Sequence, residues 1–377
     1  MRHDPNVTIG SQDRRSFLKT GLAAAGVATV GVGLLEHSTP AAAQSTGLTA
    51  GDVAILQFLA AGEILEADFW TQYNELGGIQ DGEDTGGKGN DVYTERLRSI
   101  DHNFPQYIHD NTDDEISHAT FINAYLASKG AEPVSLDQFK TLEGSKATGS
   151  SGKARLTNLM QLTIDSSWWT RYRSSTNNPD VNPTTFEQAV PDLHNGKYTA
   201  IPRTDEDLYP YVHIQAIANT AAFHMPTVEQ GGGSLRMALA QRATDVEVLR
   251  LLISMGPIES MHFQTWHEKA GQVRPITDPT NGLTFPDLNR GVDPNTGARG
   301  AVVREMFQTN LIMPEPCPFI STSLPACSVI RPTKTTGAAT GALKFLTAMG
   351  LFIGQSQDFF NYLMELATAA DAAQRGI

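Results

Sequence analysis

Cysteine is scarce: the 377 residues hold two, Cys317 and Cys327. Their spacing, with no histidine close by, matches no common zinc pattern, which makes a metal-binding pair the weaker reading. Two close cysteines in the proline-rich stretch Pro-Cys317-Pro to Ala-Cys327-Ser instead predict a disulfide in an oxidising compartment. Basic charge is also short, with 28 Lys+Arg against 41 Asp+Glu and a formal net charge of −13. A nucleic-acid partner is not expected, because a phosphate backbone needs clustered cations. The acidity suits a protein that attracts cations, although solvated surface carboxylates give the same balance. Strand signals are few. The acidic loop Gly82 to Asp91 lacks the Asp-x-Asp-x-Asp-Gly order of a calcium loop and reads as solvated. The apolar run from Gly21 to Leu35 falls short of the ~20 residues that span a bilayer.

What is present begins with an address. Asp13-Arg14-Arg15-Ser16-Phe17-Leu18-Lys19 resembles the twin-arginine export motif, the apolar run follows it, and Pro40-Ala41-Ala42-Ala43 offers small residues for a signal peptidase. A disordered basic tail would not need that order. Residues 1–43 are therefore expected to be a signal peptide cleaved before Gln44, with a mature chain in the periplasm or outside the cell and no membrane span.

The mature chain reads as helices broken by long loops. A helix is expected from the start signal Thr49-Ala-Gly-Asp52 to about Asn74, closing at Gly77-Gly78. A second should end at Lys129 with Gly130 at C′, and a third should cover Lys153 to Arg173. Ser174 to Asp207, rich in Pro, Asn and Asp, reads as a long crossover. Two further helical segments follow, Tyr209 to Ala243 and Asp245 to Lys269, with interruptions expected at Pro226 and Gly256-Pro257. Val273 to Thr336 is loop-like, and Gly341 to Ala373 has helical periodicity. This divides the mature chain into a helical bundle over 44–272 and a loop-rich extension over 273–377 whose C-terminal helix packs on the bundle.

Acidic residues fall on apolar stripes. Leu56, Ala60, Glu63, Ala67 and Trp70 are spaced by four, three, four and three, one seam of a bundle helix, so Glu63 points inward. The same spacing runs through Ile108, Asn111, Glu115, His118, Ile122 and Tyr125, and again through Leu252, Met255, Glu259, His262 and Trp266. A carboxylate and an imidazole one turn apart can reach a single point, and that donor pair suits iron, manganese or zinc. Blander readings exist. About half of one Glu-x-x-His arises by chance in such a chain, Glu115 could close a capping box with Thr112, and His262 could be a satisfied core histidine. Two copies on two apolar stripes, with an inward carboxylate on a third, favour metal.

One Glu from each of two helices, with Glu-x-x-His from two others, is the ligand pattern of ferritin-like dinuclear carboxylate proteins. Glu63-Ile-Leu-Glu66-Ala-Asp-Phe69-Trp70 resembles the first helix of the ferritin-like family related to plant desiccation proteins. The run from Glu229-Gln230 through Met237-Ala238-Leu239-Ala240 and Asp245 to Glu259-Ser-Met-His262 resembles the second half of a rubrerythrin-type bundle. The resemblance covers about Thr49 to Lys269. It implies an all-α, ferritin-like four-helix bundle with long crossover insertions and an additional C-terminal helix. It also implies two metal ions, iron or manganese, on Glu63, Glu115, His118, Glu229, Glu259 and His262. The fourth carboxylate has two candidates. Glu229 precedes the last Glu-x-x-His helix by one short turn but is followed by Gly231-Gly232-Gly233. Asp165 lies on the stripe Leu159, Leu162, Asp165, Trp169, Tyr172 but is one methylene shorter. Glu66, flanking Glu63, is either an outer partner of the ligands or a solvated residue. Tyr125 and Trp266 are candidates for redox-active aromatics or for core packing.

The implied chemistry is that of rubrerythrins and manganese catalases, an oxidoreductase acting on oxygen or peroxide. The competing reading is a non-enzymatic ferritin-like scaffold serving envelope or stress protection, with metal absent or structural. Iron storage ranks behind both, since no cage-forming surface is evident and the long insertions impede one. A homo-oligomer is among the assemblies open to such a chain.

Overall fold

The computed structural model describes residues 47–81, 87–171, 186–288 and 336–376, with residue 323 and two short strands at Met313–Glu315 and Cys327–Val329. The expected signal peptide lies outside these residues. So does Cys317, and with it the expected disulfide.

Helix α1 spans Ala50–Gly77. Thr49 begins it by accepting the Asp52 amide on its hydroxyl at 3.1 Å, which satisfies a backbone donor that the first turn would otherwise leave open. At the other end Gly78 N–H bonds Asn74 O at 3.0 Å. A short helix α2, Asp91–Arg98, is capped by the Asn90 side chain. Helix α3 spans Phe104–Ser128 and ends as the sequence predicts, on Lys129 followed by Gly130 at φ 77°. Helices α4, Tyr211–Ala240, and α5, Val246–Ala270, complete the bundle. Both run unbroken through Pro226 and Pro257, where interruptions were expected. Buried packing on either side holds these helices together against the local loss of one backbone bond.

Cross-helix contacts give the direction of each helix. Trp70 and Glu63 on α1 meet Thr112 and His118 on α3, so these two are antiparallel. Trp70 and Glu63 also meet Glu229 and Arg236 on α4, again antiparallel. Glu115 and Tyr125 on α3 meet His262 and Glu247 on α5 in the same sense. Helices α3 and α4 therefore run the same way, and one long crossover, residues 129–210, must carry the chain back between them. That is the connection of a ferritin-like bundle.

The predicted third helix is the main departure. Among residues 153–171 only Trp168–Arg171 is helical. The preceding segment is an irregular, non-helical loop and spends its amides on other loops: Leu162 N–H on Tyr198 O (2.8 Å), Asn158 N–H on Leu351 O (2.7 Å) and Thr163 N–H on Met349 O (2.8 Å). Leu156, Leu159, Leu162 and Ile164 are buried, so the apolar spacing reports burial and not helix. Asp68 of α1 pins this segment, accepting the amides of Leu156 (3.0 Å) and Thr157 (2.9 Å).

The C-terminal stretch forms two helices, α6 Ala338–Ala348 and α7 Gln357–Ala372. Gly350, at φ 90°, makes the turn between them close to Gln161 O. Buried Phe359, Leu363, Ala367 and Ala370 lie on one face of α7, which packs against α1. Two small antiparallel pairs complete the described residues, Ile276–Thr277 with Thr284–Phe285 and Met313–Glu315 with Cys327–Val329. Among the described residues, no helix is long and apolar enough to cross a membrane.

Candidate metal centre

The four long helices bring all six predicted ligands to one buried place. Glu63 comes from α1, Glu115 and His118 from α3, Glu229 from α4, and Glu259 and His262 from α5. None is more than 8% exposed, although four of them are carboxylates. Their donor atoms form two overlapping groups, each lying within 4.8 Å: Glu63, Glu115, His118 and Glu259, then Glu115, Glu229, Glu259 and His262. Glu115 and Glu259 belong to both. Glu115 sits well inside α3, and the Thr112 hydroxyl donates to Ile108 O at 2.7 Å, so neither residue caps the helix. Asp165 is not in the centre. Its carboxylate accepts from Ser167 and Gln188 and pairs with Arg171 at 3.3 Å, within the crossover.

The two histidines approach carboxylates through the same ring atom. His118 Nδ1 lies 3.4 Å from Glu63, 3.2 Å from Glu115 and 3.6 Å from Glu259. His262 Nδ1 lies 3.2 Å from Glu115 and 3.3 Å from Glu229. Several of these approaches lack hydrogen-bond geometry. Glu63 Oε2, Glu115 Oε1, Glu229 Oε2, both Glu259 oxygens and His262 Nδ1 are buried without a hydrogen-bond partner. An unpaired buried carboxylate oxygen is costly, and here such oxygens converge on common points. Four carboxylates and two imidazoles with open donor atoms form groups that could hold a metal ion.

Neighbouring side chains hold the outer atoms of these ligands. Trp70 Nε1–H donates to Glu229 Oε1 at 3.0 Å, and Asn111 Nδ2–H to the same oxygen at 3.3 Å, which leaves Oε2 directed inward. His262 Nε2 meets Asp114 Oδ2 at 3.2 Å, so that carboxylate can accept from Nε2–H and leave the Nδ1 lone pair available. On the other side, Arg236 is buried and donates to Glu63 Oε1, while lying 3.0 Å from Glu259 Oε1 and 3.5 Å from Glu66. Glu66 is thus an outer partner through Arg236. Trp266 is buried and stacked on Trp70 at 5.3 Å, whereas Tyr125 meets Glu247 at the surface.

Charge is balanced closely. Burial pushes Glu63 up, but Arg236 and His118 outweigh it and hold its carboxyl down at about 2. Burial raises Glu115 and, more strongly, Glu259. Burial works against the His118 imidazolium, yet Glu115 and Glu63 raise it to about 10. His262 is likewise raised, with Glu229, Asp114 and Glu115 overcoming burial. The protonated imidazole of His118 supplies positive charge among these carboxylates.

The glycine run after Glu229 now has a reason. Each glycine costs roughly 1 kcal/mol of helix propensity. A Cβ on Gly232 would lie 2.9 Å from Glu259 Oε2 and 2.9 Å from Arg236, so a side chain there would crowd the centre. Gly233 lies against Ser260 of α5, where a Cβ would come within 3.3 Å. Gly256 does the same from the facing helix, beside Met237 and Arg236. Arg236 is the residue that sequence reasoning missed. It stands seven residues after Glu229, two turns along the same face, and that spacing was the available signal.

A bundle of this connection, with Glu-x-x-His on two helices and single glutamates on the other two, defines the ferritin-like class. A family model described as a ferritin-like domain matches residues 51–272, more than half of the chain, and the chain belongs to that family. No curated protein and no solved structure matches it.

Proposed function

We propose that this chain is an exported dinuclear metal protein in which iron or manganese performs redox chemistry on oxygen or peroxide. The observation that carries the reading is the pair of overlapping donor groups sharing Glu115 and Glu259, with their open oxygens buried. Glu115 and Glu259, common to both groups, would help hold both ions. Glu63 and His118 would complete one position, Glu229 and His262 the other. Iron or manganese held there would supply the one-electron redox chemistry that these side chains alone lack. The chain's own contribution is orientation and charge: Trp70 and Asn111 fix Glu229, Asp114 fixes His262, and Arg236 fixes Glu63. The twin-arginine pattern and the cleavage-like Ala41-Ala42-Ala43 support export of the mature chain.

Elemental analysis of protein purified from its native compartment, followed by a peroxide turnover assay, tests the reading. About two metal ions per chain and metal-dependent turnover are expected. Less than one ion per chain would sink the catalytic reading and leave the ferritin-like scaffold role.

A further inference from the structure

We propose that a cavity between α1, α4 and the two C-terminal helices binds an uncharged, elongated apolar molecule and leads it to the Glu63–Arg236 edge of the metal centre. The cavity measures about 420 Å³, within the roughly 300–1,000 Å³ of small-molecule sites. It borders α1 from Phe58 to Phe69, a length of about 16 Å at ~1.5 Å per residue. Leu59, Leu65, Val228, Leu343 and Leu363 are among its buried apolar walls.

Two observations show that the space is built. Gly62 of α1 and Gly231 of α4 both line it, both are partly buried, and a Cβ at either would meet nothing within 4 Å. A Cβ at either position would meet open space and favour the helix, yet glycine stands at both. Gly231 thus differs from its neighbours Gly232 and Gly233, which make room for the centre and for α5. The second observation concerns charge. The charged groups in the wall form two sets, Glu63 and Glu66 with Arg236, and Asp165 with Arg171. Arg236 already serves three carboxylates, and Arg171 faces its own. Each of these side chains already has a partner of opposite charge within its set, so a charged head would have to displace an existing ion pair. A neutral occupant fits both.

That the occupant is presented to metal rests on the proposed function, but its binding does not. Isothermal titration of 1-octanol, octanoate and octylamine into the full chain, metal-free and metal-loaded, separates the two. Octanol is expected to bind one per chain in both forms, with octanoate and octylamine at least tenfold weaker. Gly231→Leu should weaken octanol binding at least tenfold while keeping the wild-type metal content and a Tm no lower than wild type. Gly62→Leu provides the same test from the facing helix if the first variant does not fold. Absence of octanol binding, or equal binding by both filled variants, overturns the cavity as a site. Octanoate or octylamine binding as tight as octanol overturns the uncharged class. A chain that takes up no metal but binds octanol overturns only the link to the metals.

Discussion

The two ends of the candidate centre carry the same residue types, one glutamate and one histidine each, but their supports have opposite charge. At the Glu229–His262 end, two neutral donors, Trp70 and Asn111, hold the glutamate, and an anion, Asp114, backs the histidine. At the Glu63–His118 end, the buried cation Arg236 holds the glutamate and also touches the shared Glu259. A guanidinium beside one position and a carboxylate behind the other should make two chemically similar sites unequal in affinity. A ligand count alone would have called the centre symmetric.

The largest effect should come from removing what both ends share. Glu115→Ala and Glu259→Ala each delete a donor from both groups, and metal content should fall below one ion per chain by elemental analysis, whereas Glu229→Ala should spare the Glu63 end. Equal losses from all three would break the assignment of shared carboxylates. Next comes the support itself. Arg236→Gln leaves Glu63, Glu66 and Glu259 without their cation, and the metal-free protein should lose about 3–5 kcal/mol in denaturant melts. Metal should restore much of that loss, and the gap between the two stepwise affinities should narrow by at least about tenfold, because a cation now replaces a cation. Smaller still, Trp70→Phe keeps the aromatic packing but removes the indole donor to Glu229. Metal at that end should weaken about 10–100-fold, with the other end nearly unchanged.

A fourth expectation concerns protons. Glu115 and Glu259 are raised by burial, and His118 and His262 are raised by their carboxylates against burial. Each of these groups is shifted toward its protonated form, and metal must compete with those protons. Metal affinity should therefore rise with pH and fall as pH drops, with protons released on binding. Titrations in buffers of different ionisation enthalpy would count them. No net release would mean that the centre is already deprotonated without metal.

Much of this was legible in the sequence, and the reason is periodicity. Glu63, Glu115, His118, Glu259 and His262 lie on apolar stripes of three- and four-residue spacing, and helix geometry then fixes that they face inward. The choice between Glu229 and Asp165 was not settled by pattern, since both sat on suitable spacings. Backbone pairing with remote loops decided it, because the Leu156–Ile164 segment is non-helical and bonds Tyr198, Leu351 and Met349. Periodic burial in an irregular segment looks like a helix until its hydrogen-bond partners are known. Arg236 and the separate duties of Gly231, Gly232 and Gly233 depend on how closely α4 approaches α5, which no single helix encodes.

The most direct measurement is anomalous diffraction from crystals of the manganese- or iron-loaded protein, collected across the metal edge. Two anomalous peaks are predicted, one among Glu63, Glu115, His118 and Glu259, the other among Glu115, Glu229, Glu259 and His262, with higher occupancy at the second under limiting metal. Metal peaks away from these residues, or none in crystals soaked at saturating metal, would contradict the dinuclear centre.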